Sequence, residues 1–554
     1  MKEEKINIDI TGMTCDHCAI SIEKLVSGIE GVDKADVHYP SGKGEFSFNP
    51  DKTNKDKIVN AINKTKNYRI KSVAENSNKS NNSNDHFDII IIGGGSAATS
   101  AAIRANELGL TVLLVNGGLP IGGTCVNVGC VPSKFLIRAA ESVRHSSFSN
   151  FNGITPSQPI VDFKKIIRQK KELVAELQQK KYINILQTLE NVKVLDGIAE
   201  FVNENTIRVN AKEEYSAIKF LISTGAITQI PTIEGLNETG YLTSTTLFDL
   251  EEKPESITIM GAGYIGLEIA IAYNRLGVKV RVIEFTDRVL RASQTADISA
   301  ELEMHMKNEG IEFYPNFRAI KFEKFGNDTI IHCKRADGTV TKYIEHGYVV
   351  VATGTTPNTK RLGIEKIGLN LTKTGHIQVN EKMETNIANI YAAGDVANTP
   401  AFVYTAAYEA KIAIDNAFTG ANLKTDYSAM PWVVFTDPQV AGVGIDEKEA
   451  ETKNIPFEIS LLPMNQVPRC IAAMDTRGFI KLIRNPETDK LLGARIVAPE
   501  GSELVMEIAL AIKYGITVSE LSKMIHPYLT LSEAVKLAAM SFSMDVKKMS
   551  CCAS

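Results

Sequence analysis

Apolar positions follow three different rhythms along this chain. Over the first 75 residues, strand-like segments at Ile6–Ile10, Ala35–His38, Glu45–Phe48 and Tyr68–Val73 are separated by helical stretches near Cys18–Ser27 and Lys55–Lys64. The order is βαββαβ, which predicts a split ferredoxin-like module. From Phe87 to Ile92 the pattern becomes an unbroken apolar run that leads directly into GGGSAATSAAIRA, and Ile257–Met260 leads in the same way into GAGYIGLEIAIAYNRLG. Continuous runs of this kind fit strands buried on both faces of a parallel sheet, so two α/β nucleotide-binding domains are expected. After about residue 430, FTDPQVAGVG, RGFIKLI and LLGARIV alternate strand-like segments with glycine turns, and helices follow from Ser502. This third rhythm predicts a separate α+β domain. Residues 76–86, NSNKSNNSNDH, hold no apolar side chain and are expected to form a flexible tether.

Composition narrows the function classes. The 554 residues are 44% hydrophobic, 23% charged and 7% aromatic, an ordinary globular balance that argues against disorder or fibrous structure. A formal net charge of −4 gives no basic field for nucleic acid or for an anionic membrane surface. No stretch approaches the roughly 18 apolar residues of a membrane span, and MKEEKINIDI lacks the apolar core of a secretion signal, so a cytoplasmic protein is expected. The eight cysteines fall into close pairs at 15 and 18, 125 and 130, and 551 and 552, with singles at 333 and 470. Paired thiols in a long, cysteine-poor chain point to metal or redox chemistry, with Cys333 and Cys470 expected to be bystanders.

Gly93, Gly95 and Ala98 close one strand and open a helix, the arrangement that lets a pyrophosphate approach a helix N-terminus. The acid expected about 20 residues later on a ribose is replaced by Asn116, an amide that can still bond a hydroxyl. The second fingerprint is complete: Gly261, Gly263 and Gly266, with Glu284 closing the strand Val280–Ile283. A carboxylate there accepts from a free 2′-hydroxyl and repels a 2′-phosphate, which favours NADH, while Arg281 and Arg288 nearby favour NADPH.

Between the two fingerprints, GGTCVNVGCVPSK at 122–134 contains a Cys-x4-Cys pair that by itself fits a metal site, a structural disulfide or a redox disulfide. The segment resembles the active-site motif of the pyridine nucleotide-disulfide oxidoreductases, and VATGTTPN at 351–358 and NIYAAGD at 389–395 resemble further motifs of that family. The resemblance covers everything after the tether. It implies FAD on the first unit, NADPH or NADH on the second, and a homodimer joined through the C-terminal domain with its active site shared between subunits. The flavin-contact positions it implies are Gly93, Gly95, Ala98, Gly118, Gly123, Thr124, Lys134, Ala199, Asp395 and Val403, with Lys134 paired to Glu268 beside the flavin. It also implies Cys130 against the flavin and Cys125 as the exchange thiol. The implied division is 1–75 metal-binding module, 76–86 linker, 87–226 and 353–430 FAD-binding domain, 227–352 NAD(P)H-binding domain, 431–549 dimerisation domain and 550–554 tail.

Disulfide reductases of this family place a catalytic histidine in a segment resembling HAHPTLSE. Here HPYLTLSE at 526–533 puts Tyr528 at that position and His526 two residues earlier. Tyrosine, with a pKa near 10, is a poor proton shuttle at neutral pH. The chain ends Ser550-Cys551-Cys552-Ala553-Ser554, two thiols suited to a soft ion. That ending, together with MPWVVFTDPQVA at 430–441, VPRCIAAMDTRGFIKL at 467–482 and HPYLTLSEAVKLAA at 526–539, resembles the family's Hg(II)-reducing members, whose active-site tyrosines Tyr264 and Tyr528 match. GMTCDHC at 12–18 resembles the heavy-metal-associated domain, where Cys15 and Cys18 offer two thiolates to a linear, two-coordinate ion; a thioredoxin-like reading is the rival. The resemblance thus implies capture of Hg(II) at Cys15 and Cys18, transfer to Cys551 and Cys552 of the partner, then to Cys125 and Cys130 for two-electron reduction. A lipoamide-type or glutathione-type disulfide reductase and a metal-trafficking protein are the alternatives.

Overall fold

Isoleucines at the two-residue period of a strand, Ile6, Ile8 and Ile10, are all buried in the N-terminal unit. The computed structural model describes residues 4–11, 13, 16–38, 43–65, 68–75, 86–291, 295–545 and 548. Its first unit ends at Asn84. It runs β1 (Glu4–Thr11), α1 (Asp16–Ser27), β2 (Val32–His38), β3 (Lys43–Phe48), α2 (Lys55–Asn63) and β4 (Arg69–Glu75), with antiparallel sheet order β2-β3-β1-β4. Helix α2 begins where the Asn54 side chain accepts the Lys57 N–H at 3.0 Å. Ile22, Val26, Ile58 and Ile62 from the two helices close over Phe46 and Phe48, so the βαββαβ expectation holds.

The second unit starts one residue earlier than its apolar run. Strand β5 (His86–Ile92) includes His86, because its backbone pairs with Ser216 and its ring bonds the Ser216 hydroxyl at 3.0 Å. The tether therefore loses its last residue to the sheet, and its residues 76–85 lie outside the described part. Helix α3 (Ser96–Glu107) follows, then β6 (Val112–Asn116), α4 (Gly123–Asn127) and α5 (Cys130–Ser147). With β7 (Val192–Asp196), β8 (Ala199–Asn203), β9 (Thr206–Val209) and β10 (Glu213–Ile222) they build a seven-stranded sheet, order β7-β6-β5-β10-β9-β8, which Ile390–Ala392 completes beside β10. The chain thus leaves this domain near residue 226 and returns to it.

Inserted between is a second parallel sheet of Glu312–Tyr314, Lys279–Ile283, Ser256–Met260 and Tyr348–Val351, accompanied by a three-stranded antiparallel sheet, Phe317–Glu345. The last domain is a five-stranded antiparallel sheet covered by helices Val505–Tyr514, Val518–Lys523 and Glu533–Met540. An α/β double nucleotide fold with a C-terminal α+β domain is what the rhythms predicted.

One buried charge network spans three segments of this unit. Arg275, with 4% of its side chain exposed, bonds Glu309 at 2.7 Å through Nε and Asp437 at 2.8 Å. Asp437 in turn accepts from Arg477 at 2.7 Å, and Arg144 of α5 stands 3.9 Å from Glu309. Among the described residues no helix is long and apolar enough to cross a membrane.

Candidate functional site

Cys125 lies in the single turn of α4 and Cys130 is the first residue of α5, so the second thiol sits where a helix exposes unpaired N–H groups and favours negative charge. Both are half-buried free thiols. They hydrogen-bond to each other and share one proton unequally. The bond from Cys125, reinforced by the Lys134 charge, brings the Cys130 thiol down to about 7 despite its burial. The same bond, with burial, drives the Cys125 thiol well above its ordinary range. Of the two, Cys130 is the one that this environment favours as thiolate, with Cys125 as its hydrogen-bond donor.

Lys134, one turn along α5, donates to Glu268 Oε2 at 2.7 Å and lies 4.5 Å over the Phe435 ring. Glu268, 8% exposed on the helix Tyr264–Arg275, accepts the Phe435 N–H with its other oxygen at 3.0 Å. One carboxylate thus fixes the redox helix against the second nucleotide unit and the last domain.

The first glycine turn and the redox loop are fitted to each other. Gly93 has φ +132°, and a Cβ there would lie 2.3 Å from the Ser223 carbonyl oxygen. A Cβ on Gly123 (φ +61°) would lie 2.7 Å from Gly95 Cα, and Gly122 N donates to Gly94 O at 2.7 Å. Thr124 belongs to α4 beside Cys125, and Gly118 (φ +102°) faces open space at the end of β6. Ala98 and Ala199 turn their methyl groups into the core, leaving only backbone for a ligand. Asp395 follows the returning strand, its carboxyl raised by burial, and Val403 opens the helix Val403–Thr419. Bare backbone at a helix N-terminus, open space beyond β6 and a buried acceptor fit a flavin dinucleotide with its ribityl hydroxyls.

The residues at the two ribose positions behave differently from expectation. Asn116 is 8% exposed, donates to Leu119 O at 3.0 Å, and presses its amide oxygen toward Gly94. Glu284 is as deeply buried; Oε2 accepts Ala262 N–H at 2.7 Å, and Oε1 accepts Thr286 N–H at 2.8 Å and its hydroxyl at 2.7 Å. Three donors fill three of the roughly four acceptor positions of a carboxylate, so Glu284 organises its own turn and keeps about one position for a further donor. Gly261 (φ +104°) and Gly266 are sterically closed, by Ala352 O at 2.4 Å and Gly261 O at 2.1 Å from a built Cβ, whereas Gly263 is open.

Tyr264 opens its helix and stacks on Trp432, ring centres 6.0 Å apart. Two further tyrosines lie near the thiols: Tyr404, whose ionisation is opposed by burial and by the charges of Tyr264 and Cys130, and Tyr182. Tyr182 lies on a π-helical turn, Gln179–Ile183, its hydroxyl engages Ser96 at the start of α3, and burial together with the charges of Cys125 and Cys130 opposes its ionisation. No motif marks it; a widened turn after a regular helix is the only structural signal. Tyr528 is half exposed on the loop preceding the last helix, where Leu529 takes φ +61° and its N–H bonds Glu533 at 3.2 Å. His526 is buried against Glu507 at 2.7 Å. Burial pushes Cys333 up to about 12 and Cys470 up to about 11, the environment of inert thiols. Cys18 is half-buried near the start of α1, while Cys15, Cys551 and Cys552 lie outside the described residues.

Comparison with known proteins agrees with this geometry. Residues 87–410 match the family model "Pyridine nucleotide-disulphide oxidoreductase", 430–539 its dimerisation domain, and 7–69 the heavy-metal-associated domain. A mercuric reductase of Lysinibacillus sphaericus is 38% identical, with 99% of this chain and 100% of the relative covered. One of Staphylococcus aureus is 36% identical with both chains fully covered. Among solved structures, the HOCl-induced flavoprotein disulfide reductase RclA of Escherichia coli superposes with TM-score 0.72 at 28% identity, over 81% of this chain and 98% of that one. The chain therefore belongs to the pyridine nucleotide-disulphide oxidoreductase family.

Proposed function

We propose that this protein is a mercury(II) reductase that converts thiol-bound Hg(II) to Hg(0) at the expense of NADPH, or of NADH, in the cytoplasm, and so confers mercury resistance. The observation that carries the reading is the placement of the Cys125 and Cys130 thiols at the start of α5, beside the Lys134–Glu268 pair and the first glycine turn, in a chain aligned end to end with mercuric reductases. FAD, held by these residues, would supply a two-electron relay from the pyridine nucleotide, first to bring the cysteine pair to its dithiol form and then, in each turnover, to reduce the ion that the two thiolates hold. The balance is Hg(II) plus NAD(P)H giving Hg(0), NAD(P)⁺ and H⁺.

The protein side chains do the rest. Cys130, as thiolate, offers sulfur to the ion, and Cys125 completes linear two-coordination once its proton leaves. Lys134, anchored by Glu268, keeps positive charge beside the Cys130 thiolate. Tyr264 and Tyr528 of the partner subunit flank the ion and limit access by bulky thiols, with Tyr182 packed near the pair. Cys15 and Cys18 capture the ion and Cys551 and Cys552 of a partner subunit in the homodimer deliver it, each transfer being thiolate exchange that never frees the ion. With Tyr528 at the position where the disulfide reductases carry their histidine, and tyrosine a poor proton shuttle at neutral pH, the last domain is ill suited to protonating a thiol leaving group, which weighs against a disulfide substrate.

The decisive experiment follows NAD(P)H oxidation with Hg(II) in excess thiol against oxidised glutathione and lipoamide. Mercury vapour release coupled to oxidation is expected; turnover on a disulfide alone would favour the disulfide-reductase reading. A Cys551→Ala/Cys552→Ala variant is expected to slow turnover of thiol-bound Hg(II), and unchanged turnover removes the delivery role.

A further inference from the structure

A carboxylate outside every motif sits at the back of the flavin cradle. Glu409, on the helix Val403–Thr419, has no exposed surface. Its Oε2 accepts the Gly394 N–H at 2.7 Å, and its Oε1 accepts the Tyr427 hydroxyl at 2.7 Å. Gly394 has φ +77° and directly precedes Asp395, the acid assigned to the ribityl hydroxyls, and a Cβ at Gly394 would press on Ala406 of the same helix at 3.1 Å. The turn that aims Asp395 is thus held by one N–H to carboxylate bond and by packing on the helix that carries the carboxylate. Burying a carboxylate is costly unless donors saturate it, so a group at this depth holds its donors firmly. Burial raises the Glu409 carboxyl above its usual range, and the nearby Asp395 charge adds to that.

The other oxygen leads out of the cradle. Tyr427 neighbours Asp426, whose N–H donates to the Tyr408 hydroxyl at 3.0 Å and whose carboxylate pairs with Lys513 at 2.5 Å. Lys513 lies in the last turn of the helix Val505–Tyr514, in the dimerisation domain. A chain of polar contacts therefore runs from the flavin turn through Glu409 to a helix of the next domain.

We propose that Glu409 is a positioning residue: it sets the Gly394–Asp395 turn for the flavin and ties that turn to the dimerisation domain through Tyr427. The inference rests on the reading that Asp395 receives FAD.

The test is FAD affinity and release of the full-length protein, stripped and reloaded, read by flavin absorbance and fluorescence alongside a circular-dichroism melt. Glu409→Met keeps length and volume but removes both acceptors; FAD affinity is expected to fall about ten- to hundredfold. Glu409→Gln returns an amide oxygen to Gly394 and is expected to recover most of that loss. Tyr427→Phe breaks only the outer link, with a loss of about threefold expected, and it serves as the measurement should Glu409→Met not fold. A Glu409→Met protein that binds and releases FAD as the wild type does, or a Tyr427→Phe protein with unchanged affinity where Glu409→Met does not fold, overturns the inference. Variants that melt earlier in parallel while the folded fraction keeps wild-type FAD affinity assign Glu409 to general stability and also overturn it. Failure of the wild type itself to bind FAD is a separate result, which refutes the underlying reading instead.

Discussion

The two nucleotide-binding turns start from nearly the same sequence and are used in opposite ways. In the first, the backbone is fused to the redox loop: Gly123 meets Gly95 almost Cα to Cα, and Gly122 donates to Gly94. In the second, nothing lies within 4 Å of a Cβ built on Gly263, and the turn is steadied from within by Glu284. The first turn places chemistry beside its ligand; the second leaves access for a coenzyme that must come and go. A glycine fingerprint therefore reports a place for phosphate and says little about what else will be packed there.

Substitutions break or sharpen that contrast in a definite order. Gly123→Ala combines a left-handed backbone with a 2.7 Å collision and is expected to cost about 2–5 kcal/mol and to impair flavin retention, read from thermal unfolding and bound FAD. Next comes Glu284→Gln, which weakens three hydrogen bonds to a buried carboxylate; about 1–3 kcal/mol of stability is expected to go. In the same variant the ratio of kcat/KM for NADPH over NADH is expected to move by less than about tenfold, or 1.4 kcal/mol. A larger swing would return Glu284 to the ribose.

Lys134→Met acts on the chemistry held by the first turn. In the wild type the Cys130 thiol comes down to about 7, so its thiolate fraction is expected to fall as pH drops through that value. Losing the Lys134 charge is expected to raise the midpoint by about one unit, followed by thiolate absorbance in the ultraviolet. The smallest effect belongs to Gly263→Ala. Its φ of −84° suits alanine and its surroundings are open, so stability is expected to stay within about 0.5 kcal/mol while KM for the coenzyme rises. A destabilised Gly263→Ala protein would erase the difference between the turns.

What could be read from the residues divides along the same physical line. Local rules sufficed for strands β1 to β6, for both glycine turns and for the neighbouring thiols of Cys125 and Cys130, because period, backbone freedom and spacing are written in neighbouring residues. Groups whose role depends on a partner far along the chain stayed hidden. That Glu284 also organises its own turn shows only through its bonds to Ala262 and Thr286. Tyr182 stood 52 residues from Cys130 with no motif around it, and only a π turn carries it to the thiols. Tyr264, singled out by its place in a fingerprint, stacks on Trp432 and shares with Cys130 a neighbour, Tyr404, that no motif marks. Glu409 is one acid among 65 acidic residues until its two partners are known.

The network of Arg275, Glu309, Asp437 and Arg477 also constrains how relatives of this protein can exchange parts. Removing one member of such a buried set leaves an uncompensated charge at a cost of about 3–5 kcal/mol. A chimaera that joined one parent's coenzyme domain to another's C-terminal domain would inherit half a set unless both parents shared it. Recombination of this chain across that boundary is therefore expected to succeed only where the incoming domain supplies matching charges at these positions.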